Sequence, residues 1–421
     1  MKDGDKWKRF EEHDWDPTLD DGSFNNIWNW AYGQVAAINQ QLNNPNITDE
    51  ATRAEMKTLR AFYHYIAMDN FGKVPIITEK VASGDNGGAA SPAQSPRADV
   101  YNFVETELLA ALPLLSKDVG GTHYGRMTQW VARTILAKMY LNAEVYTGTA
   151  QWSKAFVQCD SIIKGGKFSV AADFFSNFTT TNQGSPEIIL ATPMDKTKRT
   201  GFNIQYATLH YNHQRTYDLG NSPWNGYSAA TEFYNSFDDA DVRKKMWIVG
   251  QQYDISGVAM KDETLDMIID PNIPQFQMEA GPFGRLKGAR TQKYEIQLHN
   301  HTADNSQDND FVIFRLADVI LMRGEASFRL GNQPDAVTDF DYIRDLRGVP
   351  PLGAGMTADD MLAERGRELA FEFHRRQDQI RFGTWTKSWT FKPATDGHDI
   401  LWPIPQSQIA LNPNLVQNPG Y

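Results

Sequence analysis

Apolar residues recur at helical spacing over most of this chain, and that periodicity restricts its possible folds more than any other feature. Between Ile27 and Leu42 the apolar side chains fall three or four positions apart, as they do on one face of a helix. The same pattern predicts further helices at Asp49–Asn70, Arg97–Leu112, Thr128–Thr147, Gln151–Lys164, Phe314–Leu330, Pro334–Arg347 and Ala358–Arg376. The sequence therefore predicts a mainly α fold, with a helical scaffold over residues 27–167 and 312–382.

The middle of the chain, residues 168–311, has a different character. Gly, Asn, Asp, Pro and aromatic residues are frequent there, and helical periods are short. We expect a loop-rich region with a few short strands, for example Glu187–Thr192 and Lys293–Leu298. Long irregular segments on a rigid scaffold commonly carry binding sites. A second Gly-, Ala-, Ser- and Pro-rich stretch, Ser83–Pro96, is predicted to be a surface loop.

A weak internal repeat relates two parts of the predicted scaffold. The residues Ala143, Ala155, Cys159 and Ile162 have the same spacing as Gly324, Ala336, Phe340 and Ile343. Small residues at such offsets are typical of tetratricopeptide helix pairs, which cross closely. Small residues at close helix crossings also occur in unrelated helical proteins, so two copies leave both interpretations open.

Composition excludes some classes of partner. Among 421 residues, 52 are acidic and 41 basic, giving a formal net charge of -11. This balance disfavours binding to nucleic acid or to anionic lipid headgroups, which needs a basic face. The single cysteine, Cys159, excludes an internal disulfide and a multi-cysteine zinc site, and its apolar neighbours predict a buried position. Aromatic residues, at 12%, supply rings for cores and for stacking surfaces.

Motifs for catalysis or metal binding are weak. The chain has no phosphate-binding loop, no Gly-x-Ser-x-Gly elbow and no His-Glu-x-x-His pair. Carboxylates spaced along Glu364–Arg376 could serve acid–base chemistry, but the interleaved arginines favour a structural ion-pair network. A glycoside hydrolase, which needs two carboxylates at a fixed separation, stays open. A metal site, such as one for calcium, also stays open where His299 and His301 precede the acidic loop Asp304–Asp310; its alternative is a solvated loop.

Several blocks, in order along nearly the whole chain, resemble the SusD/RagB family. They are Arg60–Tyr65 with the following Phe71-Gly72-Lys73-Val74-Pro75, then Phe314–Ala326, Glu364–Glu372 with Asp378–Gly383, and the ending Leu401–Tyr421. The resemblance implies a single SusD-like domain over residues 1–421, built from tetratricopeptide-like helix pairs with a loop-rich ligand-binding half. It implies no catalytic residue, no cofactor and no metal.

The resemblance also implies a cellular role. Family members are surface lipoproteins of the Bacteroidetes outer membrane that bind glycans, or less often peptides, and cover a SusC-like TonB-dependent transporter. They have a signal peptide, an anchor cysteine and further helices before the segment that resembles Asp5–Asp16. The chain begins without an apolar signal segment, and Cys159 lies within a predicted helix. We therefore expect that the N-terminal part is missing and that membrane attachment uses a lipid anchor absent from this sequence.

The resemblance places one candidate sugar site in the N-terminal segment. Trp7 and Trp15 match stacking rings, and Arg9 and Asp16 match partners for sugar hydroxyls. A flat ring covers the C–H face of a pyranose while charged groups bond its hydroxyls. The alternative is that one of these tryptophans packs against the predicted helix that carries Trp28 and Trp30.

A second candidate site follows from the residues themselves. The segment 201–227 is rich in rings and in polar and glycine residues without helical period, which is typical of a binding loop. Its candidate contacts are Tyr206, Tyr211, Arg215, Trp224 and Tyr227. A packed loop is the competing interpretation. Trp385 and Trp389 form a weaker third cluster.

These observations favour a non-enzymatic protein that captures an oligosaccharide or polysaccharide and delivers it to a SusC-like transporter. Binding of a peptide or another nutrient by the same scaffold is the first alternative. A glycoside hydrolase and a helical-repeat adaptor are the others.

Overall fold

The computed structural model describes residues 6–78, 91–276 and 281–421. Part of the predicted loop Ser83–Pro96, residues 83–90, lies outside these ranges. The helices of the described residues are α1 Lys6–Glu12, α2 Asp21–Leu42, α3 Glu50–Phe71, α4 Arg97–Ala111, α5 Gln129–Leu141, α6 Ala143–Thr147, α7 Trp152–Lys164, α8 Ile204–Thr208, α9 His213–Tyr217, α10 Thr231–Asn235, α11 Pro282–Arg285, α12 Leu316–Arg329, α13 Gln333–Leu346, α14 Ala358–Glu368, α15 Arg375–Arg381 and α16 Gln406–Leu411. The predicted mainly α fold is confirmed.

Strands are short and pair two by two. They are β1 Ile188–Thr192, β2 Trp247–Ile248, β3 Gly250–Gln251, β4 Lys261–Asp262, β5 Leu265–Asp266, β6 Ile268–Ile269, β7 Arg290–Thr291 and β8 Phe311–Arg315. The antiparallel pairs among the described residues are β1–β8, β2–β7, β3–β6 and β4–β5. Within the described ranges only β1 and β8 reach five residues, so the sheets there connect loops and do not build a layer of their own.

The chain divides into two compact units. The helical unit contains the described residues up to Gly165, with Glu325–Asn332 and Arg376–Tyr421. The mixed unit contains Gly166–Gly324 and Gln333–Arg375. No helix within the described ranges combines the length and apolarity needed to cross a membrane.

In the helical unit, helices that lie close together in the sequence pack against each other. Helix α2 packs on α3, α3 on α4, and α5 on α7. Helix α3 begins at an N-cap, because the carboxylate of Asp49 accepts a hydrogen bond from the amide of Thr52 at 2.7 Å. Cys159 on α7 is fully buried, as predicted. Consecutive packed helices are what the tetratricopeptide-like pattern predicts.

Two predicted helices have different bounds in the structure. Residues Thr128–Thr147 form two helices separated at Asn142, whose side chain bonds the carbonyl of Lys138 at 2.8 Å. Phe314–Leu330 was predicted as helix throughout, but its first two residues belong to β8, so α12 begins at Leu316. Pairing with β1 satisfies the backbone there and outweighs the helical pattern.

A larger departure is the end of the predicted helix Ala358–Arg376. Helix α14 ends at Glu368, and Phe371 and Phe373 have φ of 60° and 61°. The carbonyl of Glu368 accepts hydrogen bonds from Arg315 and Lys293. Because these buried cations use the carbonyl, the chain leaves the helix instead of continuing it.

The prediction of a strand at Lys293–Leu298 is also wrong, and here too hydrogen bonds that involve side chains decide the local structure. Lys293 directs its amine to the carbonyls of Glu368 and Ala370 and to the carboxylate of Glu372. Further along the segment, the amide of Gln297 bonds a side-chain oxygen. The backbone of this segment therefore bonds a side chain where a strand would bond a neighbouring strand, and the alternating pattern does not produce a strand.

The charged helix end forms a buried ion-pair network, which confirms the structural interpretation of Glu364–Arg376. Glu368 accepts hydrogen bonds from Arg315 at 2.8 Å, Arg347 at 2.9 Å and Arg243 at 2.9 Å, and all four side chains are fully buried. Burial alone raises the pKa of Glu368, but the three arginines outweigh it and hold the pKa well below its usual range. A permanently ionised, enclosed carboxylate is suited to holding this unit together and not to proton transfer.

Candidate functional site

The N-terminal candidate residues lie on and after α1 in the helical unit. Trp7 is partly exposed; its ring centroid lies 6.0 Å from that of Phe10, and the amine of Lys6 lies 5.1 Å from the centre of its ring. Arg9 donates two hydrogen bonds to the carboxylate of Asp20, at 2.9 and 2.7 Å. Arg9 therefore fixes the turn between α1 and α2 in this structure.

Asp16 has a similar local role. Its Oδ1 accepts hydrogen bonds from the amides of Thr18 and Leu19, each at 2.7 Å. An aspartate that caps a turn in this way holds the backbone in place. The carboxylate remains partly exposed, so it can still accept a further hydrogen bond.

Trp15 does not lie where a stacking platform would. It is 5% exposed, its indole N–H donates to the hydroxyl of Tyr421 at 2.5 Å, and its ring contacts Phe10 and Phe24. Phe24 lies on α2, the helix that was predicted to cover it. The alternative interpretation, packing against that helix, describes Trp15 correctly, and we assign it a supporting role.

A cleft of about 500 Å³ lies beside this segment. Its lining comes from both ends of the chain: Glu12, His13, Asp14, Pro393, Ala394, Thr395, Asp396 and His398. His13, with φ of 56°, turns the chain after α1. Its ring stacks on Trp385, with centroids 3.6 Å apart, and meets the edge of Trp389 at 5.0 Å. The third aromatic cluster therefore supports the wall of this cleft.

Two buried polar atoms at this wall lack hydrogen-bond partners among the described residues. His13 Nδ1 and Asp399 Oδ2 lie 3.4 Å apart, without the alignment of a hydrogen bond. His13 is 6% exposed and Asp399 is fully buried. Burial, the largest influence, lowers the pKa of His13, so the imidazole is neutral near pH 7.

Sequence reasoning did not find the second half of this cleft. Residues 393–398 carry a proline, an aspartate and a histidine in a loop with no motif. Only the folded chain brings them next to Glu12–Asp14, more than 370 positions away. A loop rich in polar residues near the end of the chain was the sole available signal.

The second candidate segment lies in the mixed unit and is held by its backbone. The amide of Trp224 donates to the carbonyl of Tyr206 at 2.8 Å, and those of Gly226 and Tyr227 donate to the carbonyl of Ala207. At Gly226 an added Cβ would lie 2.7 Å from the carbonyl oxygen of Ala207, so only glycine permits this approach. Residues 224–227 are thus fixed against α8.

Three of the predicted rings on this segment are exposed, and one is not. Tyr211, Trp224 and Tyr227 are 39%, 48% and 43% exposed. Tyr206 is fully buried in a cluster with Leu209, Leu219, Ile248 and Ile296. Its ring centroid lies 6.3 Å from that of Trp224, so Tyr206 supports the exposed tryptophan and is itself packed. The loop is therefore packed on one side and open on the other.

Arg215, the remaining candidate, lies on α9 and reaches solvent. Its side chain is 59% exposed, and its Nη2 lies 3.2 Å from Asp254. Its carbonyl accepts the amide of Ile255, which places an exposed hairpin tip beside α9. Tyr253 and Ile255 there are 49% and 46% exposed. The sequence did not indicate these two residues, because their alternation resembles a half-buried strand.

Buried polar side chains hold the loop from beneath. His213 Nδ1 accepts the amide of His210 at 3.0 Å, and burial lowers the pKa of His213 to about 3. Arg290 is 3% exposed and donates to Asn225 at 2.8 Å. Burial lowers the pKa of Arg290 to about 10. This network positions the rings without offering a reactive group of its own.

The metal hypothesis for the acidic loop finds no support in the described residues. Asp308 accepts hydrogen bonds from the amide of Lys196 and the side chain of Gln297, at 2.9 and 2.8 Å. His299 and His301 instead face Asp218, with His299 at 2.7 Å and His301 at 3.4 Å. No group of three or more His, Cys, Asp or Glu side chains converges in the described part of the chain as a metal site would.

Comparisons with known proteins identify relatives over the whole chain. The SusD family model matches residues 135–393 and 384–421, and a model described as "Starch-binding associating with outer membrane" matches residues 2–141. Starch-binding protein SusD of Bacteroides thetaiotaomicron is 26% identical, over 89% of this chain and 74% of the relative. SusD-like protein P25 of Formosa agariphila is 23% identical, over 95% and 80%.

A solved structure shares the fold. Surface glycan-binding protein A from Bacteroides thetaiotaomicron in complex with laminarihexaose aligns with a TM-score of 0.75 and 19% identity. The alignment covers 99% of this chain and 89% of that one. At this identity the likeness establishes the architecture.

Proposed function

The chain belongs to the SusD family, and from that membership we propose that it binds an oligosaccharide or polysaccharide at the outer surface of the cell and passes it to a SusC-like TonB-dependent transporter. The named relatives support the glycan ligand, since one is a starch-binding protein and another was solved with laminarihexaose. The description of the matching N-terminal model supports association with the outer membrane.

The observation that carries the proposal is the set of exposed rings Tyr211, Trp224 and Tyr227 on one fixed segment. Exposed rings held on a fixed backbone offer apolar faces to the C–H faces of sugars at little entropic cost. Arg215 lies on α9, beside the exposed hairpin tip, and its guanidinium can bond hydroxyls. The cleft beside Glu12–Asp14 offers a second set of acceptors.

The carboxylates near these rings favour binding without catalysis. A glycosidase needs a carboxyl group whose raised pKa keeps it protonated as a general acid. Hydrogen bonds from backbone amides, first that of Val258, lower the pKa of Asp254. For Asp262, burial raises the pKa, but Arg285 and His210 outweigh it and lower the pKa overall. Neither carboxyl group has the environment of a general acid.

Affinity electrophoresis tests the binding step. The protein is run through gels that contain soluble starch, laminarin or another polysaccharide, and we expect retarded migration in at least one. Replacing Tyr211 and Trp224 by Ala should abolish the retardation. Trp30→Ala is the matched control, since Trp30 is 46% exposed on α2, away from the candidate residues in sequence. Equal loss in the control, or none in the double variant, would remove these rings from the site.

Two further measurements separate the alternatives. Chromatography of the incubated glycan should show no new sugars, and released products would establish the hydrolase instead. If no glycan retards the protein and members of a peptide library bind it, the peptide-binding alternative is favoured. Co-expression with a SusC-like transporter should yield a complex of the two proteins after detergent extraction. If no complex forms, the proposal of glycan binding is unaffected, but the proposal of transfer to the transporter is wrong.

A further inference from the structure

The hairpin tip of residues 253–258, in the mixed unit, is a tightly closed turn. The carboxylate of Asp254 accepts hydrogen bonds from the amides of Ser256 and Val258, each at 3.0 Å. The backbone of Asp254 closes the same turn, since its amide donates to the carbonyl of Val258 and its carbonyl accepts the amide of Gly257. Gly257 has φ of 81°, which glycine adopts without strain. These bonds hold the side chains of the tip in fixed positions.

The hairpin tip is joined to helix α9, which carries the candidate contact Arg215. The amide of Ile255 donates to the carbonyl of Arg215 at 3.0 Å. The hydroxyl of Thr216 donates to the carbonyl of Tyr253 at 2.8 Å. Both bonds use backbone groups of the tip, so its position relative to α9 does not depend on its exposed side chains.

A second connection lies at the start of α9. The side-chain amide of Asn212 donates to the carbonyl of Lys261 on β4 at 3.1 Å. The ring of His210 lies 3.3 Å from the carboxylate of Asp262 on the same strand. Because His210 and Asn212 flank Tyr211, the returning arm of the hairpin lies next to that exposed ring. The hairpin and the ring-bearing segment therefore form one continuous surface.

The hairpin tip carries apolar side chains into solvent. Tyr253 and Ile255 are about half exposed, and Val258 is 60% exposed. Arg215 beside them uses one N–H on Asp254 at 3.2 Å, and most of its donors remain for a ligand. Apolar side chains held in solvent next to a charged donor are typical of an interaction surface.

The size and chemistry of the hairpin tip favour a sugar chain as its partner. A stable protein interface uses about 20–30 residues a side, whereas the tip offers three large apolar side chains. A pyranose needs a ring against its C–H face and a few polar groups for its hydroxyls, which Tyr253 and Arg215 supply together. Because both are positioned before binding, the contact costs little conformational entropy.

We infer that the hairpin tip extends the binding surface of Tyr211 and Trp224, with Tyr253 as an additional stacking ring flanked by Ile255 and Arg215. This inference rests on the proposed function. The rings lie on separate segments, so a glycan must contain several sugars to cover them at once. A disaccharide covers about one ring and gains nothing from the others. The ligand is therefore a longer oligosaccharide or a polysaccharide.

Isothermal titration of the unmodified protein and of Tyr253→Ala tests this extension. The probes are maltohexaose and laminarihexaose, with maltose and laminaribiose as their short counterparts. We expect the variant to bind the better hexaose roughly threefold to tenfold more weakly, because it lacks one stacking ring. Its affinity for the corresponding disaccharide should stay within about twofold, since that sugar can use the other rings. Affinity electrophoresis compares the same proteins in gels that contain soluble starch, laminarin or any other polysaccharide that retards the unmodified protein.

Control variants separate the ring from its surroundings. Tyr253→Phe keeps the ring and should bind like the unmodified protein. Tyr342→Ala is the matched control, since Tyr342 is 48% exposed on α13 of the same unit, and it should also bind unchanged. Ile255→Ala alters a second position of the tip and should weaken hexaose binding at least about twofold. Thermal unfolding of each variant checks the fold, and Ile255→Ala decides the test if Tyr253→Ala is destabilised.

The outcomes separate the inference from the proposed function. If the unmodified protein binds no hexaose and no polysaccharide, the proposed function and this inference both fail. If it binds a glycan and both tip variants bind that glycan equally well, the function stands and the extension is wrong. The extension is also wrong if Tyr342→Ala weakens binding as much as Tyr253→Ala, or if Tyr253→Ala weakens the disaccharide as much as the hexaose.

Discussion

Removing one charge from the buried network of the mixed unit should destabilise that unit strongly. Glu368 is fully buried and accepts hydrogen bonds from Arg243, Arg315 and Arg347. The variant Glu368→Gln keeps the shape of the side chain but leaves these guanidinium groups with one carboxylate fewer. Its amide N–H would also face donors. Three buried cations thus lose their shared counter-charge.

The expected loss follows from the burial of the partners. Breaking a buried ion pair from one side costs about 3–5 kcal/mol, because the remaining charge has no solvent to compensate it. A unit of 150–250 residues loses roughly 2–4 °C in Tm for each kcal/mol. The variant should therefore unfold roughly 6–20 °C lower, measured by calorimetry or by circular dichroism at pH 7.

A surface carboxylate provides the comparison. Glu263 pairs with Arg285 at 2.8 Å, but its side chain is 62% exposed, so Glu263→Gln should change stability by less than about 0.5 kcal/mol. Adding Arg347→Met to Glu368→Gln removes a cation with the anion and should recover part of the loss. If Glu368→Gln and Glu263→Gln melt within about 2 °C of each other, the buried network does not stabilise this unit.

Three other results are expected. Burial lowers the pKa of His64 to about 4, so the stability gained from the neutral imidazole is complete above pH 6.5 and is lost as the pH falls toward 4. The free energy of unfolding in urea, measured over this pH range, should therefore depend less steeply on pH in His64→Gln. An unchanged dependence on pH would contradict this. Gly324→Ala places a Cβ 2.9 Å from the ring of Phe340 and should lower the free energy of unfolding by about 1–3 kcal/mol, measured by thermal unfolding. Gly33→Ala, on an open helix face, is the control and should be neutral or stabilising. Equal effects of the two substitutions would refute the close helix crossing at Gly324. Cys159 is fully buried and should react with a thiol reagent only after unfolding, so rapid labelling of the native protein would show that α7 opens.

Local patterns predicted most of the helical unit. The apolar period from Ile27 to Leu42 corresponds to α2, and Asp49 marks the start of α3. In the mixed unit, the small residue Gly324 likewise lies where a close helix crossing requires it. These features depend on residues within a few turns of each other, which is why a sequence reading recovers them.

The structure separates the candidate contact residues by their exposure. Tyr211, Trp224 and Tyr227 are exposed as a binding loop requires, whereas Trp15 and Tyr206 lie in cores. The types and spacing of these rings are similar, so the sequence could not separate the two groups. Exposure depends on which other segments cover a ring, such as the terminal Tyr421 over Trp15.

The sequence by itself determined the helical class, the family and the segments on which rings are concentrated, because periodicity and motif order are local properties. Only the tertiary structure decided the end of α14, the cleft of Glu12–Asp14 with residues 393–398, and the ionised state of Glu368. Each of these depends on charges or backbone groups brought together from distant positions. Burial then makes such contacts strong, because water no longer competes for them.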